Sequence, residues 1–195
     1  CKGLGNDLSR DDIINVVNLK KNLKIFFVET PCNPLLKLTS IKMINDIRKN
    51  IEKKFLLVVD NTMISPIYLK PIELGADLVV YSITKFIGGH SDLVAGGVSG
   101  SDELIEKIKV YRTIFGNVAD PDTCWLIQRS LSTLELRIVK QCENAKKIVS
   151  FLKNHKSVSK IYYPSEGSKN IEIFEEEYSG DGSMISFEIF GKETE

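Results

Sequence analysis

Lys85 lies in "YSITKFIGGHSD", residues 81–92, where a β-branched run ends and two glycines follow. Asp60 closes an earlier apolar run, "FLLVVD", and Asn33 follows another, "KIFFV", through the loop "ETPCNP". With the hydroxyls of Ser82 and Thr84, these residues form a set that is costly to bury unless a ligand or one another satisfies it. A lysine amine can form a Schiff base, a carboxylate can keep a ring nitrogen protonated, and hydroxyls on a turn can donate to a phosphate.

That chemistry needs strands that end side by side. Ser9 and Asp12 resemble a capping box before a helix whose apolar face is Ile13, Val16 and Val17. Residues 24–28 read as a buried strand, and Thr30, Pro31, Asn33 and Pro34 punctuate the loop after it. The next helix begins near Thr39 or Ser40, with Ile41, Ile44 and Ile47 inward. Residues 55–60 and "DLVVYS" suit strands buried on both faces, separated by a helical piece at 66–74 that Gly75 closes. A further strand is predicted near Val94 to Val98, before Ser101 caps "SDELIEKIKVYRTIF". This alternation predicts an α/β fold with a mostly parallel sheet, and such sheets bind ligands beyond the C-terminal ends of their strands.

From Asp120 the pattern becomes one long helical stretch, with Leu126, Leu131, Leu134, Leu136, Ile148 and Leu152 as expected core positions. "SVSKIYY" and "SMISFEIF" then read as strands around a polar, Glu-rich loop at 165–182, the start of a smaller α+β domain. The expected division is residues 1–125, a linking helical segment at 126–154, and a partial C-terminal domain at 155–195. The acidic run Glu175 to Glu177 reads as a solvated face.

Composition narrows the partners. Among 195 residues, 26 basic side chains balance 26 acidic ones, so no global field draws the chain to nucleic acid or anionic lipid. No apolar run is long enough to span a bilayer and "CKGLGNDLSR" lacks a signal peptide's apolar core, so a cytoplasmic protein is expected. Cys1, Cys32, Cys124 and Cys142 have neither metal-ligand spacing nor the density of a disulfide scaffold, and reduced thiols are expected. A chain starting at Cys1 rather than methionine reads as a piece of something longer.

Pyridoxal phosphate uses all the singled-out groups at once: Lys85 for its Schiff base, Asp60 for its ring nitrogen, Ser82 and Thr84 for its phosphate. Spacing alone leaves alternatives open. Asp60 can be a cap and Lys85 a surface lysine paired with an acid. Tyr81 and Lys85 also form YxxxK, the acid and helper pair of short-chain dehydrogenases. That pair requires a helix to share a face, whereas "LVVYSIT" favours a strand. Neither a GxGxxG fingerprint nor a Walker-type loop is present.

Longer matches carry a family resemblance. "ETPCNPLLKL", "VVDNTMISPIYLKPIELGADLVVYSITKFIGGHSD", "LIQRSLSTLELRI" and "GSMISFEI" resemble the Cys/Met-metabolism pyridoxal-phosphate enzymes, from about Val28 to Phe187. That family comprises cystathionine γ-lyase, β-lyase and γ-synthase, and methionine γ-lyase. The resemblance implies the aspartate-aminotransferase fold, fold type I, with a cofactor domain followed by a small C-terminal domain. It implies Lys85 as Schiff-base lysine and proton shuttle, Asp60 as partner of the pyridine nitrogen, Ser82 and Thr84 as phosphate ligands, and Asn33 near the ring's phenolic oxygen. It further implies β- or γ-elimination or replacement on sulfur amino acids, cystathionine foremost, in a tetramer built as a dimer of dimers.

The resemblance also implies missing parts. The family's stacking tyrosine and further phosphate-binding residues belong upstream of Cys1, and its carboxylate-gripping arginine downstream of Glu195. A catalytically silent fragment is therefore the alternative of a different class. Ser183 stands where the family's late segment carries a glycine. Glu29 is expected to hold the Asn33 loop through a salt bridge, and His90, Ser91 and Asp92 to shape the loop after Lys85. Cys32, Trp125, Arg129 and His155 keep structural readings.

Overall fold

In a computed structural model, which describes residues 9–20, 22–51, 54–166 and 171–191, Ser9 caps helix α1 (Arg10–Leu19). The Ser9 hydroxyl accepts the Asp12 N–H and the Asp12 carboxylate accepts the Ser9 N–H, the reciprocal bonding that the sequence predicts. Ser40 accepts the Met43 N–H at the start of α2 (Ile41–Asn50). Ile13, Val17, Ile41, Ile44 and Ile47 are all buried, so both helices turn an apolar stripe to the core. Cys1 lies outside the described residues.

Strands β1 (Ile25–Glu29), β2 (Leu56–Asp60), β3 (Leu78–Ser82) and β4 (Gly96–Gly100) lie in that order in one sheet. The first three run parallel, and β4 returns antiparallel to β3. Phe26, Val28, Leu57, Val59 and Val79 form the sheet's share of the main core. β2 is buried on both faces as expected, but β1 is not. Ile25 and Phe27 are 54% and 58% exposed, because β1 ends the strand order and only its Phe26 and Val28 face meets the helices.

Between β2 and β3 the helical piece is shorter than expected. α3 covers Ser65–Tyr68 alone, since Pro71 lacks an N–H for a continuing helix and turns take over through Gly75, at φ 104°. β4 is followed by α4 (Asp102–Phe115), whose residues are none of them buried, and Gly116 ends that helix in the left-handed region.

The long helical stretch divides in two, α5 (Pro121–Leu131) and α6 (Leu134–Lys153). Thr133 leaves helical backbone and its N–H turns to Ser130 O, within a Ser/Thr cluster whose hydroxyls compete for the ladder. Of the expected core leucines and isoleucine only Leu134 is buried, while Leu131, Leu136 and Ile148 are exposed. The buried face is instead Leu134, Ile138, Cys142, Ala145 and Val149, a helical stripe hidden in the sequence by its cysteine and alanine.

The final segment pairs β5 (Val158–Tyr162) antiparallel with β6 (Ser186–Ile189). The expected loop between them contains a helix, α7 (Ile171–Glu177). Its acidic run is not uniformly solvated, because Glu177 is buried. The Glu177 carboxylate accepts the Ser40 hydroxyl and the backbone N–H groups of Ile41 (2.9 Å) and Lys42 (3.2 Å), capping α2 from 136 residues away. No helix of the described residues is long and apolar enough to cross a membrane.

Candidate active site

Parallel register places Glu29 beside Asp60 and Asp60 beside Val80, so the C-terminal ends of β1, β2 and β3 share one edge. At that edge the chain delivers Asn33, Asp60, Ser82, Thr84 and Lys85. Asp60 is half-buried, and its Oδ1 accepts the Thr62 N–H at 2.9 Å, a local turn that aspartate makes with the residue two ahead. The Thr62 hydroxyl in turn accepts the Ser82 N–H at 2.8 Å. Thr62 therefore ties the end of β2 to the end of β3, a role the sequence reading missed.

Lys85 follows β3 in a tight turn, its N–H donating to Ser82 O at 3.1 Å. The residue is exposed, and among the described residues its amine has neither a carboxylate nor a hydrogen-bond partner. It is not the acid-paired surface lysine of the plainer alternative. Tyr81 belongs to β3 rather than a helix, and its hydroxyl accepts from the buried Asn61 amide at 3.2 Å. The YxxxK pair consequently lacks its helical scaffold.

The two hydroxyls differ. Ser82 Oγ has no partner among the described residues and is free to donate. Thr84 Oγ1 donates to Ala95 O at 3.2 Å and accepts the Ala95 N–H at 3.0 Å, so its single proton is engaged within the protein. The side chain that pins the start of the following segment is Thr84.

Asn33 is exposed, on a loop held from two sides. The Glu29 carboxylate accepts the Asn33 backbone N–H, and among the described residues it forms no ion pair, unlike the expected salt bridge. Partial desolvation raises the Glu29 carboxyl above its ordinary range, the Asn33 N–H opposes that, and the neighbouring Asp60 charge adds to it. Thr30 Oγ1 accepts the Thr39 N–H at 3.0 Å and meets the Tyr178 hydroxyl at 2.7 Å. Neither Tyr178 nor Glu177 carried a signal of these bonds, and Thr30 read only as part of the loop motif, because the residues that the bonds join lie more than a hundred positions apart.

The loop after Lys85 is shaped as the sequence suggests. His90 Nδ1 meets Gly88 O at 2.7 Å, and Asp92 pairs with Arg129 at 2.7 Å, whose guanidinium lies over the Trp125 ring. Trp125 is itself 62% exposed. Ser183 has ordinary backbone, since the positive φ of that turn, 74°, falls on Gly182.

A free amine, a carboxylate with one local donor, a free hydroxyl and an exposed amide match the groups that pyridoxal phosphate requires. A family model described as Cys/Met metabolism PLP-dependent enzyme matches residues 7–195. The chain is 41% identical over 187 residues to a cystathionine gamma-lyase of Bacillus subtilis (strain 168), covering 95% of this chain and 48% of that protein. It is 43% identical over 187 residues to a cystathionine beta-lyase of Lactococcus lactis subsp. cremoris (strain MG1363), covering 91% and 49%. The crystal structure of a cystathionine gamma synthase from Xanthomonas oryzae pv. oryzae, in complex with aminoacrylate and cysteine, superposes with a TM-score of 0.88 at 34% identity, covering 94% of this chain and 47% of that one. The chain spans about half the length of the curated relatives it matches.

Proposed function

The chain belongs to the Cys/Met metabolism PLP-dependent enzyme family, with the α/β fold of the fold type I enzymes, and we propose that it serves carbon–sulfur bond cleavage or exchange on a sulfur amino acid, cystathionine foremost. The observation that supports this reading is the shared edge of β2 and β3: Asp60 ends β2 there, and Lys85, whose amine has no partner among the described residues, follows the end of β3. The similarity to proteins named cystathionine gamma-lyase and beta-lyase supports the substrate class. Cystathionine γ-synthase and methionine γ-lyase chemistry is the runner-up, since relatives of those names also match.

Pyridoxal phosphate bound here would supply an electron-withdrawing ring that weakens bonds at the substrate's α-carbon. Lys85 Nζ would hold the cofactor covalently and, once released, move the substrate's α-proton. Asp60 would keep a proton on the ring nitrogen, oriented by the Thr62 N–H on its Oδ1. Ser82 Oγ would donate to the phosphate, with Thr84 contributing mainly by fixing the turn through Ala95. Asn33 would lie beside the ring, steadied by Glu29 and Thr30.

We further propose a cytoplasmic homo-oligomer, a dimer of dimers. Val110, Tyr111, Ile114 and Phe115 on α4 are 57% to 70% exposed, an apolar face of the kind that assembly covers. The test of substrate is to supply the purified protein with pyridoxal phosphate and cystathionine. Release of cysteine supports γ-cleavage and release of homocysteine supports β-cleavage. Turnover of neither, in protein that retains the cofactor, would reject cystathionine as substrate.

A further inference from the structure

Directly after Lys85, two backbone carbonyls are not used by the turn itself. The Lys85 N–H goes to Ser82 O, the Gly88 N–H to Ile83 O at 2.7 Å and the Gly89 N–H to Lys85 O at 2.7 Å. The carbonyls of Phe86 and Ile87, immediately after Lys85, are taken by one side chain from α6. Arg137 Nη1 donates to Phe86 O and Nη2 to Ile87 O, each at 2.9 Å.

The rest of that guanidinium is anchored to the α5–α6 junction. Nη2 also donates to Ser130 O at 3.0 Å and Nε to Thr133 Oγ1 at 3.1 Å. Four donors of a rigid, planar fork thereby join one helix start to the turn bearing the lysine. Below it Ile87 packs with Leu134 and Ile138, so the turn rests on α6 through apolar contact as well. Gly89 is part of the same device. Its φ is 75°, and a Cβ there would lie 2.0 Å from Arg137 Nη1, so only glycine lets the fork reach the carbonyls.

We propose that Arg137 is a positioning residue for Lys85: by holding the two carbonyls that follow the lysine, it fixes the direction from which the amine meets its cofactor. The proposal rests on the reading of Lys85 as the cofactor-binding amine. Lysine cannot replace the fork, because an ammonium lacks the parallel donors that span two adjacent carbonyls.

The test compares Arg137→Lys and Arg137→Gln with the wild-type protein. Melting temperatures first establish that the variants fold, and at least one folded variant is taken forward. Hydrogen exchange without cofactor is expected to speed up at Gly88 and Gly89 by about tenfold or more while β3 amides stay protected. With cofactor, the visible absorbance of the lysine-bound group is expected to be lost about tenfold faster on dialysis, with kcat falling and KM nearly unchanged. Unchanged exchange at Gly88 and Gly89 in a folded variant would overturn the clamp. Faster exchange with wild-type cofactor loss and kcat would overturn its positioning role. If the wild-type protein forms no Lys85-bound cofactor, the functional reading fails separately, and the exchange measurement still decides whether Arg137 holds the turn.

Discussion

The hydroxyls of Tyr178 and Thr30 meet at 2.7 Å across 148 positions of sequence. Tyr178 packs into the main core and Thr30 is fully buried, so this bond fastens the segment after α7 to the loop that carries Asn33. Tyr178→Phe keeps the ring and removes the bond. It is expected to lower stability to denaturant by about 1 kcal/mol, since Thr30 keeps the Thr39 N–H as a partner. Hydrogen exchange of the Asn33 loop should quicken in step, and unchanged stability would show that the bond holds nothing.

Glu29 gives a pH signature. Its carboxyl is raised by partial desolvation, with the Asn33 N–H opposing and the Asp60 charge adding, so the folded protein holds this proton more tightly than the unfolded chain does. The contribution is full below the ordinary carboxylate range and is lost as pH rises through the folded value. Glu29→Gln keeps an acceptor for Asn33 and cannot ionise. Without cofactor, its melting temperature should match the wild type below the ordinary carboxylate range, exceed it as pH rises through the folded value, and then keep a constant lead. A difference independent of pH would contradict the assignment.

Ser82 and Thr84 should separate by readout. Ser82→Ala removes a hydroxyl with no described partner and is expected to leave stability within about 0.5 kcal/mol while weakening cofactor retention. Thr84→Val removes both bonds to Ala95 and is expected to cost about 1–2 kcal/mol of stability. Denaturant titration with parallel cofactor-release measurements checks both. Equal stability losses would show that Thr84 has no special hold on Ala95.

The strand ends that carry Asp60 and lead to Lys85 were legible because their determinants are local. A β-branched run that ends on Lys85, and an apolar run that ends on Asp60, announce strands whose polar ends must converge once the strands are parallel. Capping at Ser9 was legible for the same reason. What stayed hidden depends on distant partners. The buried face of α6 passes through Cys142 and Ala145 while Leu136 faces outward, so a count of leucines picks the wrong stripe. Glu177 looks like one more acid in a solvated run, and only the approach of α7 to the start of α2 turns it into a cap. Arg137 stood inside a matched motif, yet the two carbonyls that explain it lie about fifty residues earlier in the chain.

The most direct measurement is visible absorbance of the purified protein with pyridoxal phosphate, before and after borohydride reduction, in wild type and Lys85→Ala. Once unbound cofactor is removed, wild type should show a visible band that reduction bleaches with the label fixed on Lys85, and the variant should show none. A band that persists in Lys85→Ala, or a label fixed on another lysine, would contradict this assignment of Lys85.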